Sequence, residues 1–252
     1  MTPWELIAIG LAGAGAGFIN TVAGSGTLIT FPTLLAFGVP PVTANVSNNV
    51  GLVPGAVSGV FGWRRELSGQ RDRALRLATG STLGGLVGAV LLLVLPASAF
   101  GAIVPVLVGL GIVLVALQPA INRRVARVAG SSRSARDAPW LWPGVALTGV
   151  YGGYFGAAQG ILLMAVLGVG TADSLHRNNA LKNVLSALVN AVAAVVFILV
   201  ADVDWLIVLL IGVGSVVGAL VGARVGRRMP AALLRGVIIV VGVVALGVFL
   251  SR

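Results

Sequence analysis

Six apolar stretches, each close to the thickness of a bilayer core, constrain this chain more than any other feature. They run over residues 42–63, 74–95, 100–120, 178–200, 205–223 and 231–250, and about 20 helical residues cross a hydrocarbon core of roughly 30 Å. A water-soluble domain carries roughly 25% charged residues; here 10% are charged, 58% are hydrophobic and the mean hydropathy is +1.04. Such a chain cannot cover itself with polar surface, so most of its outer face meets lipid. Helices satisfy every backbone polar group internally, and the fold class expected is all-α, a polytopic membrane helix bundle.

Two further stretches break the pattern. Residues 4–22 are long enough to span, but Gly24-Ser25-Gly26 follows, and the next run, 27–37, is too short to cross alone. Residues 140–158, then Gln159-Gly160, then 161–168 repeat the arrangement. Each reads as a hairpin of helices with a polar, glycine-rich turn at membrane depth, where irregular backbone survives only against protein or a water-filled cavity. The first run does not read as a secretory signal, because residues 1–5 hold no cation.

The net charge of +10 falls mainly in three short segments, 64–76, 123–136 and 224–228, each between apolar runs. That placement reads as cytoplasmic loops under the positive-inside rule and excludes a nucleic-acid binder. One topology satisfies all three loops, with both termini outside. The first hairpin then begins and ends outside and the second inside, with His176 and Arg177 at its cytoplasmic end. Five segments per half is an odd number, so the halves enter the membrane in opposite senses, the inverted-repeat plan of many secondary transporters. The expected organisation is a first repeat over 1–122, a basic cytoplasmic linker over 123–139 and a second, inverted repeat over 140–252, each repeat holding one broken hairpin and three spanning helices.

Chemistry is restricted by what the chain lacks. It has no cysteine, one histidine and seven acids, which argues against a thiol, metal or triad enzyme; no cofactor and no metal are expected. Polar residues inside apolar runs mark a cavity instead. Asn45, Asn48 and Asn49 share one helix face. Asn179, Asn183, Ser186 and Asn190 form a stripe at i, i+4, i+7 and i+11. Both sets suit interhelical hydrogen bonds, worth about 1 kcal/mol each in lipid, and both suit amide donors around a polar solute. Lys182, the sole lysine, has two readings: an anchor snorkelling to the cytoplasmic surface beside Arg177, or a cation facing the cavity.

The glycine breaks matter because a helix starting at such a turn points free N–H groups and its positive dipole end into the cavity. Ser25 and Thr27 add hydroxyls, and glycine lets a ligand approach the backbone. This is an anion site that needs no charged side chain. The candidate site is therefore Gly24, Ser25, Gly26, Thr27, Asn48, Asn49, Gln159, Gly160, Asn179, Lys182 and Asn183.

Two segments carry a family resemblance. Residues 17–32 read GFINTVAGSGTLITFP and are followed by Gly38-Val39-Pro40 and Ala44-Asn45; residues 152–160 read GGYFGAAQG and are followed by 177–183, RNNALKN. The chain resembles the sulfite exporter TauE/SafE family, also called the toluene sulfonate uptake permease family, over nearly its whole length. The resemblance implies a secondary transporter of sulfur-containing anions such as sulfite or organosulfonates, with export as the expected direction and one half rocking against the other. Other small anions, a passive anion channel and a membrane assembly subunit are the alternatives. The expected partners are a small anionic substrate and the lipid bilayer of a bacterial inner (plasma) membrane. A homodimer and a coupling ion, H+ or Na+, remain open.

Overall fold

The computed structural model describes residues 1–129 and 137–225, and beyond them positions 236, 238–241, 243, 244 and 247. Residues 130–136 of the expected linker, Arg227, Arg228 and much of the expected last span lie outside the described residues.

Among the described residues the chain is all helical. The helices are α1 (Pro3–Val22), α2 (Thr27–Ala36), α3 (Pro41–Gly62), α4 (Arg71–Val94), α5 (Ala97–Ala129), α6 (Leu141–Tyr154), α7 (Gln159–Gly170), α8 (Leu175–Val200) and α9 (Trp205–Val225), with a 3-10 turn over Arg64–Leu67. Local chemistry starts several of them. Thr2 and Glu5 form a reciprocal capping box ahead of α1, Pro41 opens α3 with a ring that needs no N–H there, and the Asp204 carboxylate accepts from Leu206 and Ile207 N–H at the start of α9.

Among the described residues five helices, α1, α4, α5, α8 and α9, are long and apolar enough to cross a membrane. The exposure pattern is inside out relative to a water-soluble protein. Leu11, Leu147 and Leu199 lie outward and exposed, whereas Asn45, Ser47, Asn48, Gln159, Asn178, Lys182 and Ser215 are buried. Lipid meets the apolar side chains, and the bundle interior holds the polar ones.

Close helix approach is arranged across the chain rather than along it. α1 packs on α9 and α4 packs on α6; α3 packs on α9 and α4 on α8; α3 and α8 pack on each other. Glycine makes the first two contacts. A Cβ at Gly17 would overlap the Ser215 backbone of α9, and one at Gly218 would overlap the Ala14 carbonyl of α1. At the α4–α6 contact, Gly88 lies against the Val150 carbonyl and Gly153 against the Gly85 carbonyl. Small residues are how helices associate in lipid, where no hydrophobic force drives them together.

Candidate functional site

The two helical hairpins turn in the same way. At the end of α1 the Ala23 and Gly24 N–H groups both donate to Ile19 O, at 2.7 and 2.9 Å. At the end of α6 the Phe155 and Gly156 N–H groups both donate to Tyr151 O, at 3.0 and 3.1 Å. Gly24 and Gly156 take φ of +83° and +76°, a left-handed conformation that costs glycine little. The first break covers residues 23–26, as the sequence suggests. The second covers 155–158, about one turn earlier than expected, and Gln159 and Gly160 form the first turn of α7. Ala158, at φ +62°, supplies the second left-handed residue there.

The breaks touch. Gly160 N–H donates to Gly24 O at 3.0 Å, and a Cβ on either glycine would overlap the other's Cα. Beside this contact lies a cavity of about 30 Å³, bordered by Asn20, Thr21, Thr27, Gln159, Asn183, Ser186 and Asn190 together with the two glycines. Ser186 and Asn190 put it near the middle of α8. Its volume suits about two waters. The polar side chains of its wall are amides and hydroxyls, with no carboxylate among them. Gln159 Nε2 and Ser186 Oγ are buried there without a hydrogen-bond partner.

A helix that stops inside a bundle leaves its last carbonyls unsatisfied, which is costly away from water. The opposite half of the chain supplies the donors. Lys182 Nζ donates to Asn20 O at 3.0 Å, and the Asn179 and Asn183 amides donate to Thr21 O at 3.4 and 3.3 Å. For α6, Asn45 Nδ2 donates to Tyr154 O at 3.0 Å. Thus α8 caps α1 and α3 caps α6. The other side of the first break is closed locally, where Gly26 N–H donates to Asn20 Oδ1 at 2.7 Å.

Of the residues chosen from sequence, Gly24, Thr27, Gln159, Gly160 and Asn183 meet at the cavity. Ser25 and Gly26 belong to the turn, and the buried Ser25 Oγ has no partner. Asn179 borders a second, larger chamber beside Trp63 and His176. Asn48 and Asn49 are buried on α3 with unpartnered Oδ1 atoms and do not border the cavity. Lys182 is 1% exposed: it does not reach the surface, and its ammonium is held by the end of α1. Sequence reasoning passed over Asn20 and Thr21, although Asn20 is a polar residue in an apolar run four positions before Gly24.

The end of the bundle where α4 begins carries an ion-pair network. Arg73 Nε donates to Asp137 at 2.9 Å, Arg73 also pairs with Asp173, and Arg76 with Asp137. Arg177 Nε donates to Asp173 at 2.7 Å and its Nη1 to Ser68 O at 2.9 Å. Burial alone pushes the Asp173 carboxyl up, but hydrogen bonds from Arg177 and Arg73, with the two guanidinium charges, hold it below its ordinary value of 3.8.

Comparison with known proteins places this architecture. The family model described as sulfite exporter TauE/SafE matches residues 9–250. The chain is 28% identical over 202 residues to "Probable membrane transporter protein ORF9" of Sinorhizobium sp, covering 79% of this chain and 75% of that one. It is also 28% identical over 191 residues to "Probable membrane transporter protein YfcA" of Escherichia coli strain K12, covering 75% and 69%. No solved structure matches. With a family match across nearly its whole length and a multi-pass helical bundle, the chain belongs to the sulfite exporter TauE/SafE family of membrane transporters.

Proposed function

We propose that the chain is a secondary transporter of small sulfur-containing anions, sulfite or an organosulfonate, exported by alternating access through the paired helix breaks. The observation that carries this reading is the cavity wall: Gln159 Nε2 and Ser186 Oγ are donors buried without partners, in a pocket with no carboxylate. A buried unsatisfied donor costs about 1–3 kcal/mol, and an oxyanion is a ligand that would satisfy two at once. Lys182, one residue from the wall, supplies the only formal positive charge near it among the described residues. Space for about two waters is too little for an organosulfonate, so this arrangement is read as a closed state that must open on one side at a time.

The exchange of helix contacts supports two inverted repeats, 1–122 and 140–252, with an altered mechanical division. α1, α2, α3 and α9 pack together, as do α4, α6, α7 and α8, and the two groups meet chiefly where α3 packs on α8, so the moving parts of this reading interleave along the chain. The ion-pair end of the bundle is assigned to the cytoplasm of a bacterial inner membrane on its charge, leaving both termini outside.

The test is binding of sulfite, thiosulfate, sulfoacetate, taurine and sulfate to the purified protein, for the parent and for Gln159→Glu. That substitution keeps side-chain size and places a carboxylate in the wall. Its affinity for the bound anion should fall at least about tenfold. Binding equal to the parent, or binding of none of these anions by the parent, would reject the site.

A further inference from the structure

Phe31 on α2, Phe100 in the first turn of α5 and Phe155 in the second break are all buried, and they meet. Ring centroids are 5.0 Å apart for Phe31 and Phe155, 6.2 Å for Phe100 and Phe155 and 6.5 Å for Phe31 and Phe100, all edge to face, the arrangement that aromatic quadrupoles favour. Tyr154 adds a fourth ring, 5.7 Å from that of Phe100, and its buried Oη has no hydrogen-bond partner. Chain direction places the cluster. α4 leaves the ion-pair network at Arg71 and ends at Val94, so α5 begins at the opposite end of the bundle. α3 returns from Pro41 to Gly62 beside that network, so α2 runs away from it. Phe31 stands about one turn past Thr27, which borders the central cavity. The rings therefore cover the central cavity on the face away from the ion pairs.

The other face is built differently at equivalent places. Val22 and Ala23 precede Gly24 as Tyr154 and Phe155 precede Gly156, in turns closed by the same pair of bonds. The smaller side chains border the chamber beside Trp63 and His176, about 210 Å³ in volume, and Leu175 and His176 on its wall are exposed. Between chamber and central cavity stands one helix turn, held by the bonds of 3.4 and 3.3 Å from Asn179 and Asn183 to Thr21 O, which are longer than a standard amide hydrogen bond. The cavity thus has a thin polar partition on one side and a dry aromatic layer on the other. An anion with its water crosses such a layer only when the rings part.

The rings also sit where the two packing groups can separate. Phe31 belongs to the group of α1, α2, α3 and α9, and Phe155 to that of α4, α6, α7 and α8, while α5 packs on α7 from one and α3 from the other. Each ring-bearing helix holds a proline close by: Pro32 follows Phe31, and Pro105 lies in the turn after Phe100. A helix proline removes one backbone hydrogen bond and marks a place to bend. We propose that Phe31, Phe100 and Phe155 are gating residues, closing the central cavity toward the membrane side opposite the ion-pair network and parting when α2 and α5 bend. The inference rests on the alternating-access reading and adds which side is shut, by which residues, and that the two barriers are unequal. The described state leans open toward the ion-pair side.

The test uses the full chain, which has no cysteine, with Ser186→Cys in the central wall as reporter. A small charged, membrane-impermeant thiol reagent is applied to sealed vesicles of each orientation. The side from which Ser68→Cys reacts is the ion-pair side, whichever way the protein is inserted. The reporter should react from that side at least about tenfold faster than from the other. Phe31→Ala and Phe155→Ala should each speed its reaction from the far side about tenfold and leave the near side within about twofold. Cross-linking Phe31→Cys with Phe155→Cys, with Ser186 restored, should stop exchange of labelled sulfite in proteoliposomes and leave sulfite binding within about twofold, which also shows the protein folded. A parent reporter that reacts faster from the far side, far-side reaction unchanged in both alanine variants, or sulfite exchange that continues after cross-linking overturns the proposal. The labelling needs no substrate, so the two readings fail separately. If no anion binds but labelling follows the rings, the central anion site fails and the gate stands; if Gln159→Glu abolishes sulfite binding but labelling ignores the rings, the gate fails and the site stands.

Discussion

Gly160 and Gly24 are joined by a backbone hydrogen bond of 3.0 Å, N–H of the first to C=O of the second, with no room for a side chain between them. The first turn of α7 is thereby fixed to the turn that ends α1, and two segments from opposite halves of the chain share one backbone contact at the cavity. Both residues must be glycine, for different reasons. Gly160 is helical and needs only the space; Gly24 needs the space and a φ of +83°.

The two substitutions should therefore differ. Gly160→Ala adds a Cβ to a packed contact, an overpacking cost of about 1–3 kcal/mol. Gly24→Ala adds the left-handed penalty of about 1–2 kcal/mol on top. Thermal unfolding in detergent should rank parent, Gly160→Ala and Gly24→Ala in falling order. Equal midpoints for all three would mean that the breaks do not meet as described.

Lys182→Met keeps the aliphatic stem and removes the donor to Asn20 O. The carbonyl at the end of α1 then stays buried and unsatisfied, a loss of about 1–3 kcal/mol. Lys182→Gln, which retains a donor on a shorter arm, should recover part of it. Unfolding midpoints check both, and a Lys182→Met protein as stable as the parent would show that the end of α1 has another cap.

Asp173 gives the protein an acid limb. Its carboxyl is held below 3.8 in the folded chain, so the folded state binds fewer protons at that group than the unfolded state. The stabilisation is fully present above the ordinary carboxylate value and disappears as pH falls through the depressed one. The difference in melting temperature between parent and Asp173→Asn should be largest near neutrality and should close as pH falls below the ordinary carboxylate value of 3.8. A difference that grew on acidification would give the shift the opposite sign.

Orientation is accessible because the chain has no cysteine. In intact cells a membrane-impermeant thiol reagent should label Asp202→Cys and spare Ser68→Cys, with Ser68→Cys labelled after permeabilisation. The reverse pattern would invert the topology and place the Trp63 chamber outside.

Much of the architecture was readable because apolar run length and glycine-rich interruptions act locally. The turn at Gly24 follows from a glycine on a chain that must reverse. The second turn was misplaced by about one helical turn because an alanine, Ala158, occupies a left-handed conformation, and nothing about an alanine announces that. Polar stripes marked α3 and α8 as inward facing, but not what they would meet. Asn45 reaches Tyr154 and Lys182 reaches Asn20 across more than a hundred residues of chain. Asn20 escaped notice in part for the same reason: it accepts locally from Gly26 N–H, but its role in receiving Lys182 exists only once the halves are together.

The pairing of α1 with α9 bears on how the protein is made. α1 leaves the ribosome well before α9, with glycines on the face that α9 will cover, because α9 begins only at Trp205. Until then that face has no native partner, and the buried end of α1 lacks Lys182 as its cap. Insertion must consequently proceed through a stage in which the first helices are threaded but unassembled. Closure of that seam waits for the synthesis of α9, so a nascent chain halted in the α5–α6 connection would present an open α1 seam to the insertion machinery and the quality-control proteases.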